Sequence, residues 1–494
     1  MSIRMVFVLF ISLYTSRIVL GVLGVVDYGI HNVVAGFVTM FTFMSSALST
    51  GIQRFYNYEL GRTGSDGANI VYNTALLIQC GFALILVILI EIIGLWFLHH
   101  KMVIPADRIS AATCVFHLSV VTLVINIVQV PYMAAVIAHE CMGFYAIMSV
   151  INAAITLIGV YFVKIIGYDS LTMYGMILTI IALISLIAYI IYSKLHFDEI
   201  FISHRVNRKL FKEMLSFSGW NIFGTFGHML KDQGANIILN ILFGPVVNAA
   251  RGISVQVNSG LNGLVSNVTI PVRPQMIQAY SQGDKNRSYN LTFAISKLSC
   301  IVLAFVAIPI ILEIEYVLEI WLGDNVPTYT KTFTTIIILD SFLLNLNSAI
   351  SGLVHASGKM KVYQLTGGLV SVMTIICAYL SVLIFKNPSM VFYMTLIFDI
   401  IRQIVAIYVV KQIEREDFSI SKYIRIVVIP LLIVLVLGFI PPFILHIIMS
   451  QGLIRLITVI IISILSIMLT AYIFALNTSE KQMVKQIFKK LIKK

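Results

Sequence analysis

A chain of 494 residues with 59% hydrophobic and 11% charged side chains, and a mean hydropathy of +0.96, cannot cover its apolar surface with a polar shell. A water-soluble globule is therefore excluded. The net charge of +12 would suggest nucleic acid in a soluble protein, but here the placement of the charges matters more than their sum, and no nucleic-acid partner is expected.

Each apolar run of about 20 residues reads as one helical crossing of a hydrocarbon core about 30 Å thick. In chain order these runs cover 3–23, 33–51, 70–96, 109–136, 143–164 and 171–193. Six more follow at 215–242, 249–270, 291–312, 332–354, 362–385 and 389–410, and a last pair at 424–447 and 453–475. The fold class is thus an all-α polytopic membrane protein of about 14 transmembrane helices. Its expected parts are a six-helix lobe (1–193), a basic linker (194–214), a second six-helix lobe (215–410), an additional helix pair (411–476) and a basic tail (477–494). A cleaved signal peptide is disfavoured, because the first run is long enough to span and no small-residue cleavage site follows it. Few residues precede that run, which points to a translation start further upstream. The five cysteines all fall in apolar runs, supporting neither a disulfide framework nor a metal motif.

The two lobes echo each other. LGVVDYGIHNVV near Leu23 and LFGPVVNAARGI near Leu242 each open on a Gly-Val-Val-type turn. Each passes through a polar-flecked apolar run and ends in a basic loop. Gly24 answers Gly244, Arg54 answers Arg273 and Gly61 answers Gly283, each pair about 220 residues apart. One unit of that length has been used twice.

Lys and Arg on alternate loops set the orientation, since positive residues are retained in the cytoplasm. With the N-terminus inside, the inner loops hold 23 of them and the outer loops six, namely Lys101, Arg108, Lys164, Lys331, Lys386 and Arg455. Both termini are then cytoplasmic, and Trp96 and Trp321 fall at the outer boundary as interfacial aromatics. Each lobe begins and ends inside, so the copies are parallel, related by a pseudo-two-fold axis along the membrane normal. A substrate path usually lies between such halves.

The stretches FGPVVNAARGISVQVNSGLNGLVSN, SRIVLGVLGVVDYGIHNVV and HASGKMKVYQ resemble the polysaccharide flippases of the multidrug/oligosaccharidyl-lipid/polysaccharide exporter superfamily, more narrowly the Wzx-type branch. The resemblance covers nearly the whole chain. It implies a transporter, not an enzyme, that moves an undecaprenyl-pyrophosphate-linked oligosaccharide from the inner to the outer leaflet of a bacterial inner membrane. Two lobes would open alternately, for capsule, O-antigen or exopolysaccharide synthesis. The implied partners are the lipid-linked oligosaccharide, membrane lipids and polysaccharide polymerase or assembly proteins.

That task can be checked against the residues. A pyrophosphate crosses hydrocarbon only beside counter-charges, because burying unpaired charge costs several kcal/mol or more. Ionisable residues within spans are therefore site candidates. The cations Arg17, Lys231 and Arg251, with Arg54 and Arg273 at the inner mouth, are the expected substrate cavity. Arginine suits it, since its planar fork grips a phosphate with two hydrogen bonds. Among acids, Asp340, Asp232 and Asp399 are the candidates for coupling to H+ or Na+; no cofactor and no catalytic or metal residue is expected.

Blander readings stand beside these. Arg54 and Arg273 flank helix ends, where snorkelling explains an arginine equally well. Lys297 is near enough to the inner surface to snorkel. Arg402 lies three residues after Asp399, the spacing of a structural ion pair, and His117 on an apolar helix reads as a packing residue. The alternatives are a drug or cation exporter of the same superfamily, which would want an acidic or aromatic cavity, and a membrane-embedded glycosyltransferase or polymerase. The latter would need a carboxylate or His/Asp constellation on a sizeable loop, and none of that length is present.

Overall fold

The computed structural model describes residues 2–42, 64–139, 141–166, 168–203, 207–269, 282–323, 325–357, 359–415, 417–477 and 480–481, with isolated positions at 49, 52, 55, 56, 59, 60, 272, 275, 276, 279 and 280. Every regular element among the described residues is helical. In order these are α1 (Ser2–Thr39), α2 (Ser65–His100), α3 (Ile109–Ala138), α4 (Met142–Ile166), α5 (Ser170–His196), α6 (Arg208–Phe243) and α7 (Pro245–Thr269). There follow α8 (Lys285–Leu312), the short α9 (Ile314–Leu322), α10 (Thr330–Ser357), α11 (Met360–Phe385) and α12 (Met390–Glu414). The last two are α13 (Ile420–Ile448) and α14 (Leu453–Ala475).

Eleven of the described helices are long and apolar enough to cross a membrane. Three of the fourteen expected spans are missing from that set for two reasons. The end of 33–51 lies outside the described residues. The runs 215–242 and 249–270 do fold, as α6 and α7, but carry too many amides, hydroxyls and charges to qualify by hydropathy. The first boundary also needs correcting. No loop separates the first two spans; the chain turns at one residue, Gly24, whose φ of 73° and ψ of 170° are open to glycine and strained for anything else. Gly244, its partner in the repeat, turns the chain between α6 and α7 with φ 81° and ψ −176°. The duplicated Gly-Val-Val-type turns thus fold alike.

Two compact units can be distinguished. Unit 1 comprises Met1–Ile253, Asp324–Thr330 and Gly368–Met394; unit 2 comprises Ser254–Gly323, Lys331–Gly367 and Thr395–Lys494. Unit 1 therefore takes in α6, which the repeat places at the head of the second lobe. Its tie is local: Asn236 on α6 donates to the Asn32 carbonyl on α1 at 2.9 Å and receives Asn248 of α7 at 2.6 Å.

In each unit a buried glutamate gathers loops that the charge count puts on the inner side. In unit 1, Glu199 accepts the Tyr56 hydroxyl at 2.7 Å and lies 2.6 Å from His139 Nε2, while its carbonyl accepts Asn69 at 2.7 Å. In unit 2, Glu414 accepts Tyr280 at 2.8 Å and Tyr289 at 2.7 Å, with Lys285 at 3.3 Å. Burial, and then the Glu414 carboxylate, push the Tyr280 phenol up to about 12.

The last helix pair is bolted to α8 at both ends. At one end Glu313, fully buried, receives Arg455 at 2.8 Å and His446 at 2.8 Å. At the other, Lys297 donates to Glu480 at 2.8 Å and to the Ala475 carbonyl at 3.0 Å. Lys297 does not snorkel, because its ammonium is sealed and paired. The loop-to-loop ion pairs within each unit also join residues that the charge count puts on one side. Glu313 with Arg455 and Asp27 with Arg108 and Asp169 are outer; Glu199 with His139 and Glu414 with Lys285 are inner.

Glycine sets the closest helix approaches in unit 1. A Cβ on Gly29 would land on the Pro245 carbonyl, and one on Gly252 would meet the Asn32 amide at 2.7 Å. Backbone cannot yield as a side-chain tip can, so Gly29→Ala should destabilise by about 3 kcal/mol. Gly81→Ala, facing open space on α2, should be neutral or slightly stabilising. Thermal unfolding of the detergent-solubilised protein checks this; equal melting temperatures for the two variants would refute the packing argument.

Candidate transport site

Arg17 stands on the exposed face of α1, about 10 Å below the Gly24 turn at 1.5 Å per residue. It lines an open cleft of about 680 Å³ with Gly21, Tyr161, Lys164, Tyr168 and Ser170. That volume lies within the usual range of small-molecule sites, about 300–1,000 Å³. Helical spacing builds the walls: Tyr14 and Arg17 are three apart on α1, as are Tyr161 and Lys164 on α4, so each pair shares a face. The Tyr14 and Tyr161 hydroxyls meet at 3.1 Å and join the two faces. Arg17 and Lys164 are the ionisable cations of the lining, and no acid is part of it.

Asp169, between the lining residues Tyr168 and Ser170 in sequence, belongs to a three-way ion pair. Arg108 bonds Asp27 through two nitrogens and reaches Asp169 at 2.7 Å. Asp169 also caps α5, accepting the Thr172 amide at 2.9 Å and its hydroxyl at 2.6 Å. Partial burial raises its carboxyl, but the bonds from Thr172 and Arg108 outweigh burial and hold it below its ordinary value.

Arg251 sits on α7 and pairs with Asp232 of α6, its guanidinium 2.6 Å from the carboxylate and 2.7 Å from the Asp232 carbonyl. The two partners differ in access: the Arg251 side chain is 8% exposed and that of Asp232 53%. The cation is fixed in the protein and its counter-ion faces out. Arg251 also keeps a buried Nε without a hydrogen-bond partner among the described residues. The neighbouring Lys231 is half-buried. Unit 1 therefore brings Arg251 and Asp232 together and places Arg17 on a separate cleft with Lys164.

In unit 2 Asp340 is buried on α10. Asp399 and Arg402 are both buried on α12, 3.3 Å apart. Beside them Asn347 accepts the Tyr363 hydroxyl at 2.7 Å and donates to Gln403 at 3.2 Å. Arg54 and Arg273 lie outside the described residues. His117 is no packing residue: its half-exposed ring lies 3.0 Å from Glu91. Among the described residues no group of three or more metal-ligating side chains occurs.

Sequence reasoning missed Lys164, which counted only as an outer-loop charge, and the buried glutamates. The signal for Lys164 was the Tyr161 to Tyr168 aromatic spacing around it, which marks a polar rim on an apolar helix.

No family model and no curated protein matches the sequence. Solved structures do. The lipid II flippase MurJ, in an inward closed conformation, superposes with a TM-score of 0.71 at 16% identity, covering 96% of this chain and 98% of that one. The likeness is one of fold. A multidrug resistance MATE family transporter of the MOP superfamily in an inward-facing conformation matches with a TM-score of 0.60 at 13% identity, over 83% of this chain and 94% of its own. A MOP superfamily transporter from Pyrococcus furiosus, described as having a binding pocket of reversed polarity, matches with a TM-score of 0.56 at 12% identity over 83% and 96%. This chain is a multi-pass helical membrane protein with the fold that these transporters share.

Because the native Asp169 carboxyl is held low, its contribution to the α5 cap is present at neutral pH and lost only as pH falls through that lowered value. Arg108→Gln removes one of the influences that lower it, so the cap should loosen at a higher pH than in the parent chain. Hydrogen exchange at the Thr172 amide against pH reads this directly, and an unchanged profile would refute it.

Proposed function

We propose that this protein is a flippase that carries undecaprenyl-pyrophosphate-linked oligosaccharide from the inner to the outer leaflet of a bacterial inner membrane, for capsule, O-antigen or exopolysaccharide synthesis. The observation that carries the reading is the basic, acid-free cleft of Arg17 and Lys164 in a spanning bundle. A pocket of that polarity suits an anion, whereas a drug or cation exporter of the same fold would need a carboxylate there. A membrane-embedded glycosyltransferase or polymerase has less support, since the buried Glu313 and Glu414 serve structural pairs.

The Arg251–Asp232 pair supplies the second part of the mechanism. Asp232 occupies the place on Arg251 that a substrate phosphate would take. An incoming pyrophosphate displaces it and pairs with the fixed guanidinium, and the freed carboxylate, already half-exposed, takes up H+ or Na+. Substrate binding and ion binding are then linked by one exchange. Lys231 adds positive charge beside the pair; Arg54 and Arg273 mark the inner mouth. Asp340 and Asp399 remain the coupling candidates of unit 2.

The lobes 1–193 and 215–410, joined by 194–214, alternate in access about a pseudo-two-fold axis, with both termini cytoplasmic and the pair within 411–476 as an addition. The matching backbone at Gly24 and Gly244 supports that symmetry. So does the contact of Asn32 with Gly252, its repeat equivalent, since residues related by a two-fold axis meet only beside it. Polysaccharide polymerase or assembly proteins are the expected partners.

Arg17→Gln and Arg251→Gln should each lower surface polysaccharide at least tenfold in the native host, with normal amounts of protein in the membrane. Normal polysaccharide from both variants would overturn the anion path. Asp232→Asn should leave pyrophosphate-lipid binding intact and abolish its dependence on an ion gradient; a gradient response equal to the parent's would remove Asp232 from the coupling role.

A further inference from the structure

Helix α7 is more polar than a spanning helix needs to be. Within unit 2 its second half faces α10 through a ladder of neutral side chains. Thr334 donates to Ser254 at 2.9 Å. Further along, Ser341 donates its hydroxyl to Asn258 Oδ1, and Asn262 Nδ2 donates to the same oxygen at 3.0 Å. Asn345 Nδ2 then donates to Asn262 Oδ1 at 3.0 Å and to the Ser341 carbonyl at 2.8 Å. Asn258 and Asn262 are four apart on α7, and Ser341 and Asn345 four apart on α10, so each pair occupies one helix face.

These bonds suffice to join the helices, yet they do not use up the ladder. Among the described residues neither Asn258 Nδ2 nor Asn345 Oδ1 has a partner, and neither is among the polar atoms sealed from the surface. One is a donor and the other an acceptor, each held in place by the bonds its sister atom makes. Asn258 lies about 20 Å along α7 from Pro245 and Asn345 about 22 Å along α10 from Thr330, the middle of each helix and so within a hydrocarbon core about 30 Å thick. A polar atom left open to lipid at that depth costs several kcal/mol, so this face borders a polar space.

We propose that Asn258 and Asn345 form a carbohydrate subsite, taking a hydroxyl or acetamido group of the sugar in transit. It rests on the flippase reading above and names what part of that substrate is held here. A sugar ring carries several hydroxyls that each donate and accept, so an open amide donor on one helix and an open amide acceptor on the facing helix can each take one. The ladder contains no cation, so it holds sugar and not phosphate. Mid-membrane placement is where transporters of this helical build bind their substrates.

The test uses the full chain in lipid nanodiscs with two probes, undecaprenyl diphosphate and undecaprenyl diphosphate carrying one N-acetylglucosamine. Asn258→Asp keeps the ladder oxygen and removes the open donor; Asn345→Leu removes the open acceptor. Each should weaken binding of the sugar-bearing probe about tenfold and leave the sugar-free probe unchanged. Equal losses for both probes, or no loss for the sugar-bearing one, would overturn the subsite. Thr334→Val, which breaks the rung to Ser254 and touches neither Asn258 nor Asn345, serves as the ladder control, lowering the melting temperature without discriminating between probes.

A second measurement leaves the ladder intact. Ser259→Cys, at an exposed position beside Asn258, in a chain whose five native cysteines are changed to alanine, should react with a maleimide about threefold more slowly under the sugar-bearing probe only. No protection, or equal protection by both probes, would again overturn it. A parent chain that binds neither probe sinks the flippase reading and this subsite with it; one that binds both equally sinks the subsite alone.

Discussion

A charge placed in hydrocarbon must have a counter-charge or reach water, because the cost of leaving it alone is several kcal/mol. That constraint sorts the ionisable residues of this chain into two kinds. Lys297 and Glu313 are sealed with partners on other elements and tie them together, while Arg402 and Asp399 are sealed as a pair within α12. Removing one member of such a pair would strand the other, which costs stability. Arg17, Lys164 and Asp232 instead face space that a solute can enter. Residues of this second kind are the ones placed to exchange a protein partner for a solute.

The same constraint shapes the backbone. A turn within or beside a membrane exposes amide groups, and the shortest turn exposes the fewest. Gly24 and Gly244 each end one helical run and start the next at a single residue, with φ of 73° and 81°, which leaves little unpaired backbone between consecutive helices. Gly29 and Gly252 then let α1, α6 and α7 approach until Asn32, Asn236 and Asn248 can share hydrogen bonds. The polar character that kept α6 and α7 out of the apolar set is therefore spent on contacts between helices, and in α7 on the ladder with α10.

Much of the helical plan was legible in the sequence, since length and hydropathy mark a crossing without reference to any neighbour. The turn at Gly24 was misjudged because a loop was assumed where one residue sufficed; the Gly24 and Gly244 correspondence already held the answer. Side-chain pairing was legible only when local. Asp399 with Arg402 could be read from a three-residue spacing, but Arg251 with Asp232 spans two helices and Glu313 with Arg455 spans 142 positions. No periodicity reports such contacts. Arg251, expected as a cation of the cavity, therefore gave no sign of its counter-ion Asp232.

That pairing alters what the arginine can do. A lone buried guanidinium would bind a phosphate and hold it, since release would restore an uncompensated charge. With Asp232 available the site stays neutral before loading and after release, and the exchange costs only the difference between two carboxylate- and phosphate-bound states. Transport requires that difference to be small, because a substrate bound more tightly than its internal competitor leaves slowly. On the flippase reading proposed above, the exposed Asp232 carboxylate yields to the substrate, and the buried Arg251 guanidinium keeps its geometry for the next anion.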